Sequence, residues 1–250
     1  MVTIDLSGKT AIVTGAGQGL GQCTATVLHG AGANVVINFF DDPSGGNRRR
    51  AEETAARLGE RAVAIAADVR DGAQIRQMFA VAEERFGQVN IVVNNAAIIR
   101  DRTLKKMTDE EWQDVIDTNL TGVFQVCRVA SDQLAEGGRI VNMASISGVV
   151  GFYGQVNYSA AKAGVIAITK VLSKELARRR ITVNSVAPGV VLTEMGKTIP
   201  EEVRAGMIAQ IPLGRFGEPE EISNIILFLC SDLASYVTGQ TIHANGGWIG

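Results

Sequence analysis

The stretch NYSAAK, residues 157–162, places a tyrosine and a lysine four positions apart in a chain that holds three tyrosines. On a helix, positions 158 and 162 stand on one face about one turn apart, so Tyr158 and Lys162 can act on one bound molecule. A phenol of pKa about 10 is a poor acid or base near neutrality. A cation about 4 Å away is worth on the order of 4 kcal/mol at an effective dielectric of about 20. At roughly 1.36 kcal/mol per pKa unit, that draws the phenol about two or three units toward neutrality. Such a phenol protonates a forming alkoxide, and its phenolate serves as base in the reverse reaction. The competing reading is a packing aromatic with the lysine stem lying beside it. Ser145, in NMASISG, closes the apolar run RIVNMAS. Its hydroxyl can donate to the same substrate oxygen and stabilise charge as it develops.

Proton transfer to an alkoxide needs a hydride to accompany it, and the N-terminal region offers a place for the carrier. TGAGQGLG, residues 14–21, lies between an apolar run and a helical pattern. Gly15, Gly19 and Gly21 let the backbone turn sharply and bring helix N-terminal N–H groups against a pyrophosphate, whose charge the helix dipole favours. The spacing G-x-x-x-G-x-G differs from the common G-x-G-x-x-G fingerprint, and a structural turn uses the same residues. Its place after the first apolar run favours a dinucleotide.

The elements that must hold these groups are visible as a repeat of short β-branched runs and longer helical segments. The runs are TAIVT (10–14), NVVIN (34–38), AVAIAAD (62–68), NIVVNNA (90–96), RIVNMAS (139–145), ITVNSVAP (181–188) and GQTIHANGG (239–247). Nearly continuous apolar runs suit strands buried on both faces of a parallel sheet. Helices are expected over Ala73–Phe86, Asp109–Ser131 and Gln155–Ala177. The expected fold class is therefore α/β: one Rossmann-type, doubly wound sheet of about seven mainly parallel strands with helices on both faces, spanning residues 1–250 as a single domain. DDPSGGN (41–47) reads as a turn-rich loop, and 191–215, which breaks the alternation, as a substrate lid.

Composition bounds the alternatives. The 250 residues are 46% hydrophobic and carry 24 basic and 26 acidic groups, a net charge of −2, which gives no field to attract nucleic acid. No segment approaches the roughly 18 apolar residues of a membrane span, and the N-terminus lacks a signal-peptide pattern. Cys23, Cys127 and Cys230 are widely spaced and read as reduced core residues of a cytoplasmic protein. His29 and His243 are isolated, so no metal site is expected. Ser145 lacks the flanking glycines of a nucleophile elbow, which disfavours a hydrolase.

Other groups at strand ends suit a nucleotide. Asp68 and Val69 fit an adenine amine and ring, and Asn94, Asn95, Ala96 and Ala97 suit the adenosine half; each set also suits ordinary strand-end capping. Strand two ends Asn38-Phe39-Phe40, with neither the carboxylate that binds a ribose hydroxyl nor a basic residue for a 2′-phosphate. Asp41 and Asp42 suit the first, and Arg48, Arg49 and Arg50 the second, so NAD and NADP both stand.

In order along nearly the whole chain, these motifs resemble the short-chain dehydrogenase/reductase family, nearest in pattern to its 3-oxoacyl-(acyl-carrier-protein) reductase type. TGAGQGLG resembles the family's T-G-x-x-x-G-x-G loop, NNAA its N-N-A-G, Asn119 in DTNLTGVF its helix asparagine, Ser145 its serine, NYSAAK its Y-x-x-x-K and APG (187–189) its turn beside the nicotinamide. Ala97 departs from the family's glycine. The resemblance implies an NAD(P)-dependent oxidoreductase with Asn119, Ser145, Tyr158 and Lys162 as catalytic residues, Asn119 holding a water that joins Lys162 to solvent and Lys162 also binding the nicotinamide ribose. It implies cofactor contacts at Gly15, Gln18, Gly19, Leu20, Gly21, Phe39, Asp68, Val69, Asn95, Ala96, Tyr158, Lys162, Pro188, Gly189, Val191 and Thr193. Candidate substrate contacts are Ser147, Phe152 and Tyr153, beside Ile146 and Val149, suiting a small hydrophobic ketone or a 3-oxoacyl thioester. Arg179 resembles a residue that docks acyl carrier protein, whereas Glu136 stands where relatives tend to carry a base. The resemblance also implies a homotetramer, with the NYSAAK helix and the C-terminal ANGGWIG at interfaces. The alternative is a non-catalytic NAD(P)-sensing protein of the same fold, which need not keep all four polar residues. A sugar-nucleotide epimerase shares Tyr-x-x-x-Lys but usually has a longer chain.

Overall fold

The computed structural model describes residues 3–192 and 201–249. Seven strands form one sheet in the order β3-β2-β1-β4-β5-β6-β7: β1 Thr10–Val13, β2 Asn34–Phe39, β3 Ala62–Ala66, β4 Val89–Asn94, β5 Arg139–Met143, β6 Thr182–Pro188 and β7 Thr241–Ala244. Every pairing is parallel. All seven predicted runs are strands, most of them shorter than the apolar runs. The order reverses between β1 and β4, which opens a crevice beyond the C-terminal ends of those strands.

Helices cover both faces. On one lie α1 (Gly19–Gly30), α2 (Gly46–Leu58) and a late helix, α9 (Pro219–Cys230), around Ala25, Leu28, Ala51, Ile222 and Ile226. On the other lie α3 (Gly72–Phe86), α5 (Gly122–Gln133) and α7 (Val156–Glu175), around Met78, Phe79, Val126 and Val165. Successive strand residues separate between these two cores: Ala11 and Val13 join the first, Ile12 the second. This is why the strands read as continuous apolar runs.

The predicted helix over 109–131 is not one α-helix. It divides into α4 (Asp109–Ile116), a π-helical turn (Asp117–Thr121) and α5. Thr108 and Glu111 cap α4 reciprocally, and the π turn lets Asn119 point inward, fully buried. Short α6 (Ser147–Val150) precedes α7. Within the predicted lid, residues 193–200 lie outside the described residues; α8 occupies Glu201–Ile208. Among the described residues, no helix is long and apolar enough to cross a membrane, and no cluster of metal-ligating side chains occurs.

Candidate active site

The glycine loop follows β1 at the crevice and is shaped by contacts that exclude side chains. Gly15 has φ +62°, and a Cβ there would lie 2.8 Å from the Ala96 Cα. A Cβ on Gly21 would lie 2.4 Å from Asn95 Nδ2 and 2.5 Å from the Gly15 carbonyl. Gly19 opens α1 at φ +57°. No side chain caps α1, and its first turn holds no acid, so its N–H groups face the crevice with the positive end of the helix dipole. Gln18 and Leu20 flank this N-terminus. A cradle that admits no Cβ, ending in uncapped N–H groups, fits a dinucleotide pyrophosphate.

Asn95, expected to contact the cofactor, is also tied into the fold. Its Nδ2 donates to the Thr14 and Gly15 carbonyls at 2.9 and 3.1 Å, while the Thr14 hydroxyl accepts from the N–H groups of Asn95 and Ala96. It ties the glycine loop to the end of β4. Asn38, not among the expected contacts, does the same from β2: its Oδ1 accepts from Gly15 N–H and its Nδ2 donates to the Ala67 carbonyl. Both are polar residues ending apolar runs, the only sequence signal of such a role.

At the adenosine end, Phe39 is a core residue, 4% exposed, with the Arg48 guanidinium 5.4 Å above its ring. It therefore offers little side-chain surface; Phe40 is the exposed neighbour. Arg48 donates through Nε and Nη2 to Asp41, so the acid and base suited to the 2′ position hold each other. Asp68 receives Arg70 in the same bidentate manner, which holds its carboxyl below the usual range against the opposing effect of burial. Buried Val69 packs beside Gly122, where a Cβ would lie 2.8 Å from the valine Cγ2. Pro188 ends β6, and its carbonyl accepts from Ile146 N–H at 2.9 Å. Gly189 donates to the Ala244 carbonyl, and Val191 bridges to Gly217. Thr193 lies outside the described residues.

The catalytic candidates converge from three elements. Ser145 follows β5, Tyr158 sits in the first turn of α7, and Lys162 lies one turn further. Lys162 is 2% exposed, and its Nζ donates to the Met143 carbonyl at 2.6 Å. It lies 5.6 Å from the centre of the Tyr158 ring. Burial lowers the lysine pKa to about 8 and raises the phenol to about 12, a hydrogen bond from Ser145 pulling it down and the Asp101 charge pushing it up. The phenol thus moves upward in the free protein, against the expected direction, because burial outweighs the hydrogen bond from Ser145. Ser145 Oγ accepts from Ser147 N–H at 3.1 Å, so its own proton points to the Tyr158 oxygen or to a substrate oxygen that enters beside it. Asn119 accepts from Ile98 N–H and donates to the Ile98 carbonyl, each at 2.8 Å, so its side chain directly clamps the loop after β4.

Ser147 hydrogen-bonds Gln155 and Ser159 and is 2% exposed, a supporting rather than a surface position. Phe152 and Tyr153 line a cavity of about 410 Å³ with Leu104, Val156, Arg102 and Ser159. Trp248, from the C-terminal segment, packs against Phe152 with ring centres 5.5 Å apart. Nothing in its local sequence marked that partnership, which arises only because β7 ends beside β6.

Arg179, expected to dock a carrier protein, instead donates to the Ser131 and Leu134 carbonyls at the end of α5. Arg180 meets Glu136 at 3.0 Å.

Residues 15–249 match the family model described as enoyl-(acyl carrier protein) reductase. The chain is 44% identical over 244 residues to the 3-oxoacyl-[acyl-carrier-protein] reductase FabG of Staphylococcus aureus (strain Mu50), covering 96% of this chain and 97% of the relative. It is 41% identical over 246 residues to the Escherichia coli (strain K12) FabG, covering 98% of each. A crystal structure from Brucella melitensis, described as a short-chain dehydrogenase/reductase, glucose/ribitol dehydrogenase, superposes over the whole of both chains with a TM-score of 0.93 at 36% identity.

Proposed function

The chain belongs to the short-chain dehydrogenase/reductase family and is an NAD(P)-dependent oxidoreductase, and from that premise we propose that it interconverts a secondary alcohol and a ketone, with Tyr158 exchanging the proton. Its substrate in this reading is a 3-oxoacyl thioester or a small hydrophobic ketone. The observation that carries the reading is the convergence of a half-buried phenol, a buried amine and a serine hydroxyl beside the cofactor cradle.

A nicotinamide dinucleotide whose pyrophosphate is held by the glycine loop would supply the hydride for ketone reduction or accept it from an alcohol. The chain's own residues manage the oxygen. Ser145, its lone pair held by Ser147 N–H, donates toward the substrate oxygen. Tyr158, a phenol that is protonated throughout the neutral range and whose pKa burial lifts further, to about 12, gives its proton as the alkoxide forms. Lys162 keeps a positive charge below about pH 8 at the floor of the site and favours the phenolate left behind. Asn119 holds the loop that forms the opposite wall. The apolar side chains of Phe152 and Trp248 suit the body of a hydrophobic substrate.

Recognition of an acyl carrier protein through Arg179 receives no support, since its guanidinium is turned to the α5 carbonyls. A free or short-chain thioester therefore suits this chain at least as well as a carrier-bound one. A cytoplasmic homotetramer is the proposed working form.

The test is a spectrophotometric screen at about 340 nm with NADH and NADPH against simple ketones and acetoacetyl thioesters. Tyr158→Phe is expected to lower turnover at least a hundredfold, within the contribution of general acid catalysis, with cofactor affinity little changed. Normal turnover by that variant overturns the proton-donor assignment.

A further inference from the structure

We propose that Asn157 is a positioning residue for the reaction, locking the first turn of α7 so that the Tyr158 phenol is held at the substrate oxygen; this rests on the reading of Tyr158 as the proton donor. Tyr158 is the third residue of α7, within the turn whose backbone N–H groups lack intrahelical partners and which frays first. The N-cap, Gln155, makes no side-chain capping bond. A catalytic group in an uncapped first turn would be poorly fixed, and a displacement of about 1 Å at a reacting centre is worth on the order of a hundredfold in rate.

Asn157 supplies what the cap does not. Its Oδ1 accepts from the Tyr158 N–H at 2.8 Å. Its Nδ2 donates to two carbonyls outside the helix, Arg100 and Glu111, each at 3.1 Å. The side chain is fully buried, so these bonds have no water to replace them. The two carbonyls belong to parts of the molecule that are themselves fixed. Glu111 closes the capping box of α4 and pairs with Arg102 at 2.9 Å, and the loop that carries Arg100 is gripped at Ile98 by Asn119. Arg102 N–H also donates to the Gly154 carbonyl, and Gln155 Nε2 to Asp101, both across the same seam. Asn157 is the member of this seam that touches the Tyr158 backbone directly. One amide thereby joins the helix start that presents the phenol to the loop forming the other wall of the cleft.

The role separates from simple support of the fold in a two-background measurement. Asn157→Ala is expected to lower kcat at least tenfold in the otherwise native enzyme, with the cofactor dissociation constant within twofold and the alkaline limb of the rate profile displaced. In a Tyr158→Phe background the same change is expected to cost less than twofold of the residual rate, because the group it positions is gone. Asn157→Asp, the same size, keeps the acceptor for the Tyr158 N–H and loses both outward donors, and it is expected to repeat the background-dependent loss should the alanine variant fold poorly. Equal losses in the two backgrounds, or an undiminished kcat in both single variants, overturn the proposal while leaving Tyr158 in place. Full activity of Tyr158→Phe alone removes the premise and the proposal with it.

Discussion

At the scale of single residues, the buried Lys162 amine costs the fold something that function requires. Among the described residues its ammonium has one hydrogen-bond partner, a carbonyl rather than a carboxylate, and burial brings its pKa from 10.5 to about 8. Below about pH 8 the native state therefore carries a desolvated charge, a penalty on the order of 3 kcal/mol at about 1.36 kcal/mol for each pKa unit. Between about 8 and 10.5 the unfolded chain binds more protons at this site than the native one, so stability rises with pH across that window. Lys162→Met is accordingly expected to melt higher than the native protein at pH 7 while losing nearly all activity, and its advantage is expected to shrink as pH climbs through 8 toward 10. Parallel pH dependences of the two melting temperatures would show that the lysine titrates normally. Tyr158, Lys162 and Ser145 were legible in the sequence because their types and spacing belong to chemistry. Asn157 was not, although it is adjacent to Tyr158, since an asparagine in a first helical turn looks the same whether it faces water or holds two distant carbonyls. The direction in which the Tyr158 pKa moves was hidden for a related reason: i,i+4 spacing brings two side chains near each other, but depth of burial, which governs here, is a property of the packed molecule.

At the scale of elements, the position of α7 depends on two glycines in different ways. A Cβ on Gly148 would lie 2.7 Å from the Ala163 nitrogen and 2.7 Å from the Lys162 carbonyl carbon, both backbone atoms of α7. One on Gly164 would meet the Leu120 Cδ1 at 2.7 Å, the far end of a side chain that can turn aside. Gly148→Ala must therefore push α7 away from the Ser145 loop, with an overpacking cost of about 1–3 kcal/mol and a loss of turnover through displaced Tyr158 and Lys162. Gly164→Ala is expected to cost less than Gly148→Ala, because the Leu120 side chain can turn aside where backbone cannot, with turnover within about threefold of native. Chemical denaturation and steady-state rates on the two variants check this, and similar effects from both would refute the backbone contact. Element order and sheet class were readable from the apolar runs: β1, β2, β3 and β5 begin on the first residue of a predicted run, at Thr10, Asn34, Ala62 and Arg139. The division of the 109–131 segment around a π turn was not, because its amphipathic period continues through both halves while the backbone yields locally to seat Asn119 at Ile98.

At the scale of the whole molecule, α7 bears a face that this chain alone leaves in water. Val156, Ala160, Ala163, Ala167 and Val171 are all exposed and recur at intervals of three or four residues, and Phe124 on α5 adds a further exposed aromatic side. A stripe at helical spacing whose residues are apolar and mostly small permits a partner helix to approach closely. Opposite it, the same helix buries Lys162 and presents Tyr158, so contact along the stripe would brace the catalytic element from behind. We expect this face to join subunits of the proposed homotetramer. Ala163→Glu with Ala167→Glu places two carboxylates, one turn apart, on the outside of α7 without entering the core. The pair is predicted to reduce the assembly to a smaller species in light scattering coupled to gel filtration, with an unchanged far-UV spectrum and turnover lowered through loss of the bracing contact. An unaltered mass for that variant would show that the stripe is not an interface. A reduced mass with full turnover would show instead that α7 is held by its own chain, through Gly148 and the Asn157 seam, and that assembly serves another end.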